Sequence, residues 1–287
     1  GDSMAVFPSF DISDKFSNKI IDYTIKLAQE LKVKGLINIQ FVKFQNELYV
    51  LEVNPRSSRT VPFISKITGV PLVKLATQVM LGKSLAEMGY QSGLLPAPDF
   101  YAVKVPVFSF GKLEQVDITL GPEMKSTGEV MGIDHSLKMA IYKGLMAAGI
   151  EIPKHGNIVA TIADRDKSEA IPILKEFYHM GYKLICTEGT AQALASEGLE
   201  VERVKKIAEG SPNIVDLIRD GKVDFCINTW NYGGGTFSDG FKIRRAAVEL
   251  NIPCLTSLDT VKIIQQVSQE RERWNDTQIK SLQEYVR

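Results

Sequence analysis

Residue types that are scarce in this sequence exclude several kinds of function. Among 287 residues there are three cysteines, two tryptophans and three histidines. Cys186, Cys226 and Cys254 lie far apart and lack the paired spacing of a zinc site or a disulfide framework. Each stands in an apolar, strand-like run such as "YKLICT" or "DFCINT", so they read as buried free thiols of a reducing compartment. His135, His155 and His179 are equally scattered and join no nucleophile or metal pattern, which leaves them structural or on the surface. Net charge is missing too. Lysine plus arginine and aspartate plus glutamate number 34 each, so no global field draws the chain to nucleic acid or to an anionic membrane, and an anion has to be held locally. No apolar run reaches the roughly 18 residues of a spanning helix and no signal-peptide pattern stands before the first helix, so the cytoplasm is the expected location. Position 1 is not methionine, which suggests a chain cut from a larger one.

What is present suits two domains: the length allows them, and a hydrophobic content of 44% supplies a core. "SDKFSNKIIDYTIKLAQELKVKG" reads as an amphipathic helix capped by Ser13, with Phe16, Ile20, Tyr23, Leu27 and Leu31 at helical spacing and a close at Gly35. "LINIQFVKF" and "LYVLEVN" follow as an antiparallel hairpin with a three-residue loop of Gln45, Asn46 and Glu47. Pairing Phe44 with Leu48 sets Gln40 opposite Glu52 and Asn38 opposite Asn54, and the period of two puts all four on one face. Residues 63–90 read as a helix, and 91–132 as a stretch punctuated by proline and glycine, with short strands in "FYAVKVPVFSF" and "STGEVMG". A helix over about 134–148 leads to "GIEIPKHGN", where the pattern changes. From residue 157 strands and helices alternate through "NIVATIA", "YKLICT", residues 200–204, "VDFCINT" and "IPCLTS". Five strand–helix units predict an α/β domain built on a doubly wound, mostly parallel sheet. The expected organisation is 1–148, 149–267 and a charged helical tail over 268–287.

Two places carry chemistry. On the hairpin, a carboxylate and amide oxygens on one face are hard donors suited to a magnesium ion that also holds phosphates, and Arg56 and Arg59 would add charge to those phosphates. An exposed sheet face that merely meets water fits the same spacing. In the alternating half, ligands bind beyond the carboxyl ends of the strands, where helix N-termini are exposed. "DRDKSE" with Lys167, "TEGTA" with Thr187 and Thr190 around Gly189, and "NTWNYGGGTFSD" all stand at such ends. Singly, each is more often a helix cap or a flexible loop; together they make a phosphate cradle.

"EVNPRSSRTVPFISKITGVPLVKLA" closely resembles the large chain of carbamoyl-phosphate synthase, in the C-terminal of its two ATP-grasp halves, and "GDS", "LGPEMKSTGEVMG" and the alternating half extend the likeness along the chain. The resemblance implies a partial ATP-grasp lobe of α+β type with antiparallel strands, followed by a methylglyoxal-synthase-like regulatory domain. It implies Gln40, Glu52 and Asn54 as ligands of Mg2+ or Mn2+ carried with ATP, and Arg56 as the arginine that stabilises the transferred phosphate. Lys167, Thr187, Thr190, Lys206, Asn228 and Thr229 would contact the phosphate and nucleotide of an effector; Lys205 could replace Lys206, and Trp230 could stack on a base. The effector would be UMP, phosphoribosyl pyrophosphate or IMP. The partner would be a glutamine amidotransferase small subunit, with neither nucleic acid nor membrane involved; a homo-oligomer is compatible. The family's glycine-rich loop and adenine pocket precede residue 1, so the polypeptide alone is expected to make no carbamoyl phosphate. In the ornithine-responsive branch a glutamate stands at Val105 and a tyrosine at Cys254, while Asp2 and Thr256 match, so ornithine should have negligible effect. Two other readings stand beside this one. A methylglyoxal-synthase-like lyase lacks its catalytic aspartates here, where the sequence has "AEGSPNIVD" and "INTWN", and asparagine is no general base. The third is a stand-alone nucleotide sensor.

Overall fold

The computed structural model describes residues 2–10, 12–113, 116–121, 123–229 and 238–286. The fold divides into two compact units: residues 105–132 and 138–277 with 2–4, and residues 5–104 and 133–137 with the chain end from 278. Residues 105–132, read from the sequence with the first module, thus pack in the unit of the C-terminal sheet.

The unit holding residues 5–104 opens with strand β1 (Ala5–Phe7) and helix α1 (Asp14–Glu30). Ser13 stands at the N-cap as expected, but the helix stops at Glu30, before Gly35, and Lys32 takes the left-handed region at φ 50°. Strands β2 (Asn38–Phe44) and β3 (Glu47–Asn54) form the hairpin. Their loop has two residues, not three, because Phe44 pairs with Glu47. Gln45 meets the turn's need for a left-handed residue at φ 53°. A register shift beside Gln40 then leaves Leu51 as an extra residue, so the ladder regains the expected pairs Gln40–Glu52 and Asn38–Asn54. The face of the hairpin that carries Lys43 and Leu48 meets α1: Leu48 is buried, and the Lys43 ammonium lies 5.2 Å from the centre of the Phe16 ring.

The single helix expected over 63–90 is two, α2 (Thr60–Thr68) and α3 (Leu72–Met80), followed by a 3-10 turn at Ala86–Met88. The break is chemical. Gly69 closes α2 in the left-handed region at φ 69°, and Pro71 has no N–H with which to continue it. Strands β4 (Tyr101–Val107) and β5 (Gly128–Asp134) complete a three-stranded sheet in the order β1-β4-β5, and α4 (Leu137–Ala147) follows. Gly132 is required there: a Cβ on it would meet the Ala140 carbonyl oxygen of α4 at 2.0 Å.

The alternating region contains β6 (Asn157–Thr161), α5 (Lys167–His179), β7 (Lys183–Thr187), α6 (Glu188–Ala195), β8 (Glu202–Val204), α7 (Ile214–Arg219), β9 (Phe225–Asn228), α8 (Asp239–Glu249), β10 (Cys254–Leu255) and α9 (Leu258–Ser268). The five strands form one sheet in the order β10-β9-β6-β7-β8, and every pair is parallel. Ile158, Val159 and Ala160 of the central strand are fully buried, as parallel strands covered by helices on both faces should be. Cys186 and Cys226 are buried as expected, whereas Cys254, on the edge strand β10, is only half-buried; none of the three is in a disulfide. Burial pushes the Cys186 thiol up to about 12. The tail is helical only in pieces, a 3-10 segment at Arg271–Asp276 and a single turn, α10 (Leu282–Tyr285). Among the described residues no helix is long and apolar enough to cross a membrane.

Candidate functional site

In the order β10-β9-β6-β7-β8 the chain first runs outward from β6 through β7 and β8, then returns to place β9 on the other side of β6. The C-terminal ends of β6 and β9 are therefore a topological switch point, where loops diverge and leave a crevice. Thr161 ends β6, Thr187 ends β7 and Asn228 ends β9, with Thr161 and Asn228 in direct register.

A cavity of about 350 Å³ lies over these ends. Lys167, Thr187, Thr190, Lys206, Asn228 and Thr229 all line it, so the six residues implied by resemblance, drawn from separate stretches of sequence, converge in one place. Lys206 is the lysine of its pair that reaches the cavity, while the Lys205 ammonium donates to the Ser211 carbonyl at 3.4 Å. Trp230 lies outside the described residues.

Helix starts surround the cavity. Thr187 is the N-cap of α6 and makes no side-chain capping bond, and Lys167 is the first residue of α5. The Lys167 ammonium sits over the start of α6, where a Cβ on Gly189 would be 3.1 Å from it. A helix N-terminus with an ammonium above it favours a bound anion. The ammonium also pairs with Asp164 at 2.7 Å, an almost fully exposed carboxylate whose pKa is held low by that hydrogen bond.

The polar groups beneath are oriented. The Ile162 N–H donates to Thr190 Oγ1 at 3.3 Å, and the Ala163 N–H donates to Thr229 Oγ1 at 2.8 Å. Each hydroxyl oxygen thus accepts from the backbone, which leaves its proton to be given elsewhere.

Sequence reasoning missed Thr161, Asp164 and Asp239 on the cavity wall, and above all Arg244. Arg244 is 2% exposed. Its Nη1 donates to Asn228 Oδ1 at 2.7 Å and its Nε to Asp117 Oδ1 at 2.7 Å, and its Nη2 pairs with Asp117 Oδ2. Burial works to raise the Asp117 carboxyl, but hydrogen bonds from Arg244 and Thr119 outweigh it and hold the pKa below the usual carboxylate value. A signal did exist in the sequence: in "GFKIRRAAV" Arg244 stands four residues after Gly240 and three before Ala247, on the helix stripe that also carries buried Ile243.

In the other unit, Gln40, Glu52 and Asn54 share one hairpin face. Gln40 and Glu52 are exposed, and Asn54 is half-buried. Asn54 Nδ2 donates to Glu52 Oε1 at 3.0 Å, and Arg56 Nη2 donates to Asn54 Oδ1 at 3.3 Å. One carboxylate and two amide oxygens on one face are hard donors that suit a magnesium-like ion taking most of its oxygens from phosphate and water, with Asn54 Oδ1 at present engaged by Arg56. Arg56 Nη1 donates to the Ser57 carbonyl at 2.9 Å; Arg59 stands exposed at the start of α2.

Two family models match separate parts of the chain. The family model "Carbamoyl-phosphate synthase L chain, ATP binding domain" matches residues 1–88, and the model "MGS-like domain" matches residues 169–256. Among solved structures, the biotin carboxylase domain of a single-chain bacterial carboxylase is 24% identical with a TM-score of 0.34, over 37% of this chain and 25% of that one. Methylglyoxal synthase from Elizabethkingia anophelis NUHP1 is 21% identical with a TM-score of 0.35, over 40% of this chain and 79% of that one. The chain therefore spans 25% of the length of the carboxylase structure it matches. An ATP-binding domain of the carbamoyl-phosphate synthase L chain followed by an MGS-like domain fits the C-terminal part of a carbamoyl-phosphate synthase large chain.

Proposed function

We propose that the cavity at the switch point of the parallel sheet binds the phosphoryl group of a nucleotide effector, and that this chain is the regulatory end of a glutamine-hydrolysing carbamoyl-phosphate synthase. The observation that carries the reading is the convergence of Lys167, Thr187, Thr190, Lys206, Asn228 and Thr229 on one cavity beside a helix N-terminus. Two ammonium groups and outward hydroxyl donors suit a phosphate, and the Asp239 carboxylate on the same wall suits ribose hydroxyls. UMP, phosphoribosyl pyrophosphate and IMP have this chemistry. Asn228 argues against lyase chemistry: its amide oxygen accepts from Arg244, and an amide cannot take a proton from carbon.

The hairpin would serve the synthetic reaction. Gln40, Glu52 and Asn54 would hold Mg2+ or Mn2+ with ATP, and Arg56 would neutralise phosphate during phosphorylation of carbamate. The bound metal would lower the charge of the nucleotide phosphates. The segments 1–148, 149–267 and 268–287 are proposed as synthetic module, allosteric domain and tail. The complete enzyme would work in the cytoplasm with an amidotransferase small subunit. This polypeptide by itself is proposed to make no carbamoyl phosphate, which a single-turnover assay with ATP, ammonia and bicarbonate would contradict by yielding product. Ornithine is not an expected effector: Val105 is buried and apolar, and both Asp2 oxygens accept backbone N–H groups, from Lys125 at 2.7 Å and Ser126 at 3.0 Å.

The test is a thermal-shift series with UMP, phosphoribosyl pyrophosphate, IMP and ornithine on the wild-type chain and on Lys167→Ala. A ligand at about 100 times its dissociation constant stabilises by about 2.7 kcal/mol. A shift with a phosphorylated ligand that Lys167→Ala abolishes is the expected result, and no shift with any of them overturns the assignment.

A further inference from the structure

The hydrogen bonds around Asn228 leave no freedom of assignment. A guanidinium has only donors, so the atom of Asn228 that faces Arg244 Nη1 at 2.7 Å must be its oxygen. The amide nitrogen then faces Thr161 Oγ1 at 2.6 Å. That nitrogen has no lone pair to offer, so Thr161 must accept. Its hydroxyl proton is thereby turned away from Asn228, and Thr161 lines the cavity. Arg244 is itself held by Asp117, whose two oxygens take Nε and Nη2 and whose Oδ1 also accepts from the Thr119 N–H at 3.1 Å and the Thr119 hydroxyl at 2.8 Å.

We propose that Asp117, Arg244 and Asn228 form an orienting relay that makes Thr161 a hydrogen-bond donor to the phosphoryl group bound in the cavity. In this arrangement Thr161 is a ligand contact and Asn228 positions it: the Asn228 oxygen accepts from Arg244 and one of its two amide hydrogens goes to Thr161, which leaves the second for the ligand. Thr161, Thr190 and Thr229 then form a set of three hydroxyls, each accepting on the protein side through its oxygen and each left with a proton to donate. The relay also gives regulation a physical path within one compact unit. A ligand oxygen that takes the Thr161 proton polarises Thr161, Asn228 and Arg244 in turn, and so bears on Asp117 in the segment 116–121, outside the parallel sheet.

The proposal rests on the effector reading of the cavity, and the test separates the two. UMP and inorganic phosphate are titrated calorimetrically into the full chain and into Thr161→Val, Thr161→Ser, Asn228→Asp and the double variant Thr161→Val with Asn228→Asp. Arg244 is left in place, because its removal would strand Asp117 and risk the fold. Thr161→Val is expected to weaken UMP about tenfold or more, as loss of a hydrogen bond to a charged group should, with Thr161→Ser restoring most of the affinity. Asn228→Asp offers Thr161 an acceptor in place of a donor, so the threonine proton turns inward and UMP binding weakens. In the Thr161→Val background the same change should cost markedly less, since no hydroxyl remains to turn. Wild-type binding of UMP with Thr161→Val unaffected would overturn the relay and leave the effector site standing. Full additivity in the double variant would equally overturn it. If the wild-type chain bound neither probe, the effector reading would fall and the relay with it.

Discussion

Arg244 Nη1 donates to Asn228 Oδ1 at 2.7 Å, and the glycine at position 240 in the first turn of α8 leaves that bond uncrowded. A Cβ there would stand 3.0 Å from Arg244 Nη1 and 3.5 Å from Asn228 Oδ1. Gly240→Ala should therefore stretch this charge-assisted bond and weaken UMP by about fivefold, roughly 1 kcal/mol, although alanine is the better helix former. Calorimetry alongside a Tm measurement checks this; affinity unchanged in a folded variant would count against it.

Asp164 occupies the Lys167 ammonium with its own carboxylate at 2.7 Å. A phosphate must share or displace that contact. Asp164→Asn should tighten UMP and inorganic phosphate severalfold, with the gain shrinking as salt is raised. A weaker complex would show that Asp164 assists the ligand.

Thr190 is 1% exposed and accepts from the buried Ile162 N–H. Thr190→Val would leave that N–H without a partner, at a cost of about 1–3 kcal/mol in urea unfolding. Thr190→Ser should recover most of the stability and of the UMP affinity.

The Asp117 carboxyl is held below its ordinary value of 3.8 in the fold. A group whose pKa is depressed by folding adds stability above its unfolded value, and that stability is lost as pH falls through the folded one. Unfolding followed from about pH 5 downward should show the chain weakening below pH 3.8, with a shallower decline in Asp117→Asn. Equal slopes would mean that other carboxylates govern acid unfolding.

The hairpin shows how far local pattern reaches. The pairing of Gln40 with Glu52 was legible because alternation fixes faces, and it survived an incorrect loop length because the extra residue Leu51 restored the register. Likewise the break at Gly69–Pro71 is written in residues whose backbone chemistry is local, though the apolar spacing on either side reads as one helix. In the C-terminal half, the alternation of strands and helices sufficed for a parallel, doubly wound sheet, and the strand-end residues singled out in the sequence do line one cavity.

The sequence alone therefore determined most of the elements, the strand ends and six residues of the cavity, since periodicity and turn chemistry act over a few residues. Tertiary structure decided how those residues are used. Asp117 and Arg244 are 127 positions apart, and Thr161 and Asn228 are 67 apart. No local rule pairs them: the strand order brings Asn228 beside Thr161 by returning β9 next to β6, and the packing of the segment 116–121 against α8 brings Asp117 to Arg244. Burial of the guanidinium next to Asn228 then sets which way each amide and hydroxyl points, because a donor without lone pairs admits only one orientation of its neighbour.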